Sequence, residues 1–176
     1  MMRLAESAAR TMEWTQPSAL KMNYELRAGD DVVGTLKFRT SFGSFATGEI
    51  EDGRWTLKRV GFWRPKATVR AGDSEDTIAT FTNHTWSGGG TIELADGRSF
   101  RMTSNFWQTK LEIQDESEAP LIRFQNRGVI HLSAAIEIDP RAVTMPELPW
   151  LLMLGWYVIL LSHRDSASAA AAAAAG

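Results

Sequence analysis

A segment near the C-terminus of this chain, residues 148–161, contains no charged side chain. Drawn as a helix, the segment is apolar on every side, so it must be enclosed completely by lipid or by protein. Its fourteen residues would rise ~21 Å, which is short of the ~30 Å hydrocarbon core of a bilayer. The length favours a helix buried in protein, and a short membrane anchor is the alternative.

Upstream of this segment, apolar and polar residues alternate in short runs. Met22, Tyr24 and Leu26 alternate with polar neighbours, and the longest run places every second residue from 130 to 138 on one side. Such alternation indicates strands with one buried and one exposed face. Turn signals separate the runs, so the sequence predicts about twelve short strands between residues 12 and 138. Asp139-Pro140 is expected to end the sheet, because proline cannot donate to a ladder.

The predicted strands and the predicted apolar helix are compatible parts of one fold. A flat sheet of about twelve strands leaves open edges, which closure into a barrel removes. The interior of a barrel of that width is too large for the side chains of its own strands to fill, and a helix that is apolar on every side must be surrounded by other apolar groups. We therefore predict an all-β fold with one buried helix, a closed barrel of about twelve mostly antiparallel strands enclosing a C-terminal apolar helix. The predicted boundaries are an N-terminal arm at 1–11, a single barrel domain at 12–164 with its helix near 147–161, and a disordered alanine-rich tail at 165–176.

The sequence also contains an internal duplication. The pattern Thr-x-Glu-x-x-Asp-Gly-Arg, followed after seven residues by Phe-Trp-x-x-Lys, begins at Thr47 and again at Thr91, an offset of 44 residues. Two copies indicate a duplicated hairpin unit within one barrel rather than a repeat array. The shared aromatic residues are interpreted as structural anchors: Phe62, Trp63, Phe106 and Trp107.

The two copies differ in charge. Between residues 54 and 70 the first copy has no acidic residue and six basic ones, whereas the second copy keeps fewer cations and gains Glu112. Alternation places most of these cations on one outer surface, a concentration that suggests an anionic partner such as a phosphoinositide head group or an anionic membrane. The alternative is a solvated face whose acids come from neighbouring strands, for instance from residues 115–118. The candidate binding residues are Arg54, Lys58, Arg59, Arg64, Lys66 and Arg70.

Composition narrows the remaining function classes. The chain has no cysteine, so thiolate catalysis and Cys-ligated metals are excluded, and its 19 basic residues balance 21 acidic ones, which argues against a nucleic-acid binder. Its three histidines have no ligand spacing, and no phosphate loop or nucleophile elbow is present. We therefore expect no enzyme activity, no cofactor and no metal. The N-terminus lacks a secretory signal pattern, which predicts a cytoplasmic protein, peripheral to a membrane if the basic surface binds lipid.

About twelve short strands followed by the helix sequence Leu-Leu-Met-Leu-Gly-Trp-Tyr at 151–157 resemble the tubby C-terminal-like superfamily, which includes tubby proteins, phospholipid scramblases and LURP-one-related proteins. The resemblance covers residues 12–161. More narrowly, Trp55, the Val-Gly-Phe-Trp run at 60–63 and the terminal helix resemble small bacterial members of unassigned role. The resemblance implies a closed twelve-stranded barrel threaded by its helix, and phosphoinositide binding through exterior basic residues. The cysteine-rich and proline-rich segments and the Ca²⁺ site of scramblases have no counterpart here.

Taken together, the sequence predicts a non-enzymatic binding module whose basic outer face engages anionic lipid head groups or an acidic partner. The alternative is a structural interaction protein that oligomerises, with no small ligand. A scramblase-like activity and an unrecognised enzyme site are the less favoured hypotheses.

Overall fold

The computed structural model describes residues 4–7, 11–51, 53–61, 64–84, 89–105, 109–128 and 131–176. Two helices and a 3-10 turn accompany the strands in these residues: α1 (Leu4–Ser7), the 3-10 turn (Pro140–Ala142) and α2 (Leu148–Ala174). The strands are β1 (Met12–Thr15), β2 (Asn23–Ala28), β3 (Asp31–Phe38), β4 (Ala46–Ile50), β5 (Gly53–Val60), β6 (Lys66–Ala71), β7 (Thr77–Asn83), β8 (Gly90–Leu94), β9 (Ser99–Ser104), β10 (Lys110–Gln114), β11 (Pro120–Arg127) and β12 (Ser133–Ile138).

The described strands form one closed antiparallel barrel. Each strand pairs with the next one along the chain, and β1 also pairs with β12. Met12 marks the closure, since it lies opposite Ala28 of β2 on one side and Ile136 of β12 on the other. Sheet edges are thereby removed, and the predicted closed barrel of about twelve antiparallel strands is confirmed.

Alternation along the strands fills the barrel interior. On β2 the buried positions are Tyr24, Leu26 and Ala28, while the intervening residues are half-exposed. The same pattern on the other strands produces one continuous apolar core. The sheet ends at Ile138, and the 3-10 turn that starts at Pro140 leads the chain towards the helix, as the Asp-Pro pair predicted.

Helix α2 fills the centre of the barrel. Residues on all of its sides are buried between Leu148 and Leu161, which confirms that protein encloses this apolar segment. Trp156 stacks on Trp14 of β1 with ring centroids 5.9 Å apart, and Tyr157 stacks on Phe38 of β3 at 5.7 Å. Within the described residues, no helix combines the length and the apolar character needed to cross a membrane.

The helix is longer than the sequence predicted. It continues to Ala174, whereas we expected it to end near residue 161 and residues 165–176 to be disordered. Alanine has the highest intrinsic helix propensity, so the alanine-rich segment can extend a helix whose first half is already fixed by packing. From residue 165 onward this extension is exposed. At the other terminus, α1 lies within the predicted N-terminal arm and buries Leu4 in the core.

The two copies of the duplicated motif form hairpins in different register. In the first, Ile50 pairs with Gly53, so the turn is tight. In the second, the amide of Leu94 donates to the carbonyl of Arg98 and the turn is one residue longer, with Gly97 at φ 92°. One extra residue reverses which side chains of the second strand face the core: Trp55 and Leu57 are buried on β5, whereas Phe100 and Met102 are buried on β9. The predicted anchors Phe62, Trp63, Phe106 and Trp107 lie outside the described residues.

Candidate functional site

Strands β5 and β6 present most of the cations that the sequence singled out. Arg54 and Lys58 on β5 and Lys66 and Arg70 on β6 are exposed, because the residues between them in each strand alternate into the core. Arg64 is exposed in the connection between the two strands. Local alternation thus produces one outer surface with several positive charges.

The cross-strand register separates these charges from direct opposition. Lys58 lies opposite Thr68. Arg70 lies opposite Thr56, and Lys66 faces a valine. Like charges directly opposite each other destabilise a sheet, whereas diagonal neighbours are ~7–8 Å apart. The pairing therefore places Lys58 diagonally between the two cations of β6 and reduces the repulsion that such a cluster would otherwise cause.

Two of the six candidate cations have carboxylate partners. Nε of Arg54 lies 3.5 Å from Oε1 of Glu49 on β4, and its Nη1 lies 3.5 Å from Oδ1 of Asp73. Nη1 of Arg59 donates to Oδ2 of Asp165 on α2 at 2.6 Å. These acids lie outside residues 54–70. The number of basic residues in that segment is therefore larger than the number of cations that lack a carboxylate partner.

The other four candidates have no such partner in the part of the chain that the structure describes. Among the described residues, no carboxylate oxygen lies within 4.0 Å of the charged groups of Lys58, Arg64, Lys66 or Arg70. The sequence suggested the acidic residues at 115–118 as neighbours of these cations, but two of them form ion pairs with other arginines. Asp115 pairs with Arg141 and Glu118 with Arg101. The interpretation of a surface neutralised by residues 115–118 is therefore not supported for these cations.

The surface around Lys58 is rich in hydroxyl groups. In register with Lys58, the outward residues on the next strands are Thr68 and Thr80. The first acid in this row is Glu93 on β8, opposite Thr80. It is three strand spacings, ~14 Å, from Lys58, which exceeds the Debye length at physiological salt, ~8 Å. The positive potential around Lys58 is therefore little reduced by this acid.

A further cation, Lys37 on β3, was missed by sequence reasoning. Lys37 is exposed, and register places it in one row with Thr47, Thr56 and Arg70, about 14 Å from the last of these. Alternation along β3 already indicated that it faces outward, but only the strand order shows which surface it joins. We call the cations of this outer surface that have no carboxylate partner among the described residues the basic face, with Arg64 at its edge: Lys37, Lys58, Lys66 and Arg70.

The basic face has the chemistry of an oxyanion-binding surface. Ammonium and guanidinium groups form charge-assisted hydrogen bonds to phosphate or carboxylate oxygens. Threonine hydroxyls can donate to the same oxygens. The surface is an exposed wall of the barrel rather than a cleft, so it fits an extended array of anions better than one enclosed anion.

No family model, curated protein or solved structure matched the chain when it was compared with them. What the basic face binds must therefore be inferred from its own charges and geometry. The internal copy of the region provides the most direct comparison.

The second copy of the motif does not repeat the basic face. Met102, which is 44 residues after Lys58, is fully buried because the longer turn shifts the register of its hairpin. Gln114 stands where the first copy has Arg70, and its amide donates to Glu112 at 2.6 Å. The cluster of unpaired cations is thus a property of one copy and not of the shared scaffold.

Other candidate groups lie apart from one another. In the described ranges, no three His, Asp or Glu residues are grouped so that they could hold a metal ion. Nε2 of His84 lies 2.9 Å from the hydroxyl of Thr91 on β8. Asp115 accepts hydrogen bonds from Ser117 and Ala119, and these bonds, the Ser117 hydroxyl first, hold the pKa of Asp115 below its ordinary value. Hydrogen bonds within the loop therefore hold the conformation of residues 115–119.

Proposed function

We propose that this protein is a non-enzymatic binding module that attaches to anionic membrane surfaces through the basic face. The observation that carries the proposal is the set of neighbouring exposed cations without carboxylate partners among the described residues, Lys58, Lys66 and Arg70. Each basic residue near an anionic surface contributes ~1 kcal/mol of attraction. Three such residues contribute ~3 kcal/mol, an attachment that is weak, reversible and salt-sensitive and that needs a second contact with the membrane. Membership of the tubby C-terminal-like superfamily is part of this proposal.

An exposed aromatic side chain favours a lipid surface over an acidic protein. Phe42, in the connection between β3 and β4, is 100% exposed. This connection adjoins the end of β5, where the hydroxyl of Ser44 donates to the carbonyl of Arg59 at 3.4 Å. Phenylalanine is among the apolar side chains that peripheral proteins bury at the boundary between head groups and acyl chains. We infer that Phe42 enters the head-group region while the basic face contacts the phosphates. Because the cytoplasmic leaflet carries anionic lipids, we propose that the protein is peripheral to the cytoplasmic face of a membrane.

Vesicle co-sedimentation tests the proposal. The wild-type chain should sediment with phosphatidylcholine vesicles that contain phosphatidylserine or a phosphoinositide, and should stay in the supernatant with phosphatidylcholine alone. Added salt should release it, because the attraction is screened. Lys58→Glu and Arg70→Glu should each weaken binding at least about fivefold, the factor that corresponds to ~1 kcal/mol per lost cation.

Lys110→Glu is the matched control. Lys110 is the counterpart of Lys66 in the second copy, is exposed, and lies on β10, away from the basic face. Its reversal changes net charge by the same amount and should leave sedimentation nearly unchanged. Equal losses in Lys58→Glu and Lys110→Glu would show that only net charge matters and would refute the site.

Phe42→Ser separates a membrane from a soluble polyanion. The variant should bind anionic vesicles more weakly but should bind inositol hexakisphosphate, a soluble polyphosphate, as the wild-type chain does. The wild-type chain could instead fail to bind vesicles and form an oligomer of fixed size in light scattering. That result would support the alternative hypothesis of a structural interaction protein.

A further inference from the structure

A second candidate site lies inside one mouth of the barrel, apart from the basic face. A cavity of about 570 Å³ separates the second half of the buried part of α2 from the strands β7 and β9–β12. This volume is within the range of small-molecule sites, which is about 300–1,000 Å³. The apolar part of its lining is formed by Phe81, Leu111, Leu132, Trp156, Val158 and Ile159.

The charge of the lining restricts the occupant. Among the described residues that line the cavity there is no Asp, Glu, Lys or Arg, and the one titratable side chain is that of His163 at the exposed rim. The other polar lining residues are serine, threonine and asparagine. Transfer of a charged group into such a site would cost several kcal/mol without a countercharge to offset it. The cavity therefore suits an uncharged, largely apolar molecule.

We propose that this cavity binds a small uncharged molecule, with its apolar body against α2 and the strands. The site differs from the basic face in position, in charge and in ligand. It does not depend on membrane binding.

Titration with Nile red, an uncharged fluorophore that carries a carbonyl group, tests the location. Val158 lines the cavity and is half-buried, so Val158→Trp can fill the cavity without a clash in the fully buried core. We expect Nile red fluorescence to rise with the wild-type chain, and its affinity to fall at least tenfold in Val158→Trp. Val143→Trp is the matched control, because Val143 is also half-buried but does not line the cavity. No binding by the wild-type chain, or equal binding by both variants, would overturn the proposal.

Competition distinguishes this site from the basic face. Unlabelled 2-undecanone, which is uncharged, should displace Nile red, whereas decanoate, which has a similar chain and a negative charge, should not. Lys58→Glu should bind Nile red as the wild-type chain does. Displacement by decanoate that is lost in Lys58→Glu would show that the probe binds at the basic face and would refute the cavity as its site.

Discussion

Arg98 and Glu147 form an ion pair where the helix enters the barrel, with Nη2 of the guanidinium 2.5 Å from Oε1 of the carboxylate. The carboxylate side chain is 6% exposed, whereas that of Arg98 is 55% exposed. Glu147 immediately precedes α2, and Arg98 follows the turn between β8 and β9. The pair therefore joins the start of the central helix to the wall that surrounds it.

Arg98→Ala should destabilise the barrel because it leaves the buried carboxylate of Glu147 without a countercharge. We expect the thermal midpoint to fall by about 3 to 6 °C. Arg54→Ala is the matched control, since Arg54 is the duplicated counterpart and its partners, Glu49 and Asp73, are exposed. That variant should shift the midpoint by no more than about 2 °C. Equal shifts would show that burial of Glu147 has no energetic consequence.

The double variant Arg98→Ala/Glu147→Gln should be more stable than Arg98→Ala alone. Glutamine keeps the size of the side chain and needs no countercharge, so it removes the unpaired buried charge. A double-mutant cycle by thermal unfolding measures the coupling between the two residues. A double variant less stable than Arg98→Ala would contradict the ion-pair interpretation.

Gly155→Ala should destabilise the protein although alanine is the better helix former. A Cβ at this position would overlap the ring of Phe124, a residue that is itself buried on β11. The helix can approach the wall closely here only because residue 155 lacks a side chain. Overpacking should exceed the gain in helix propensity and lower the free energy of unfolding by about 1–2 kcal/mol. Urea unfolding measures it, and Phe124→Leu in the same chain should recover part of the loss.

The barrel was predictable because its signals are local. The alternation of Tyr24 and Leu26 with polar neighbours shows which side of β2 is buried, and the same pattern recurs on the other strands. The uncharged segment at 148–161 requires an enclosure whatever its surroundings. These two observations were sufficient for the closed barrel with a central helix.

The basic face was predictable only in part because charge pairing depends on contacts between distant residues. Asp165 reaches Arg59 from a helix extension that composition alone suggested would be disordered. Lys37 joins the basic face through the order of three neighbouring strands, and no local pattern contains that order. The different roles of Arg54 and Arg98 follow from one extra residue in a turn, although the two motifs share the same sequence pattern.

Removal of residues 168–176 should leave the barrel intact. This end of α2 is exposed, and the ion pair of Asp165 with Arg59 is retained. We expect the thermal midpoint to change by less than about 1 °C and the helical far-UV signal to decrease. Removal of residues 162–176 is the contrasting variant. It also deletes Arg164, which donates to the carbonyl of Gly43 at 3.1 Å, and should lower the midpoint clearly.

Tyr157 should make the barrel sensitive to alkaline pH. Burial raises the pKa of its hydroxyl to about 12, and the hydroxyl donates to the carbonyl of Ser44 at 2.6 Å. The ordinary pKa, that of the unfolded chain, is about 10. Because the folded pKa is the higher one, the stabilisation is complete below pH ~10 and is lost as pH rises from ~10 to ~12, by roughly 2 to 3 kcal/mol.

Urea unfolding at several alkaline pH values, with Tyr157→Phe as the control, isolates this contribution from the titration of lysines. Phenylalanine keeps the stack on Phe38 but cannot ionise and cannot donate to Ser44. At neutral pH the variant should therefore lose about 1 kcal/mol, because the carbonyl loses its partner. Between pH ~10 and ~12 the wild-type chain should lose stability faster than the variant, so that their difference disappears or reverses. Parallel pH profiles of the two chains would mean that the hydroxyl ionises as easily in the folded barrel as in the unfolded chain, and would refute its burial as the cause.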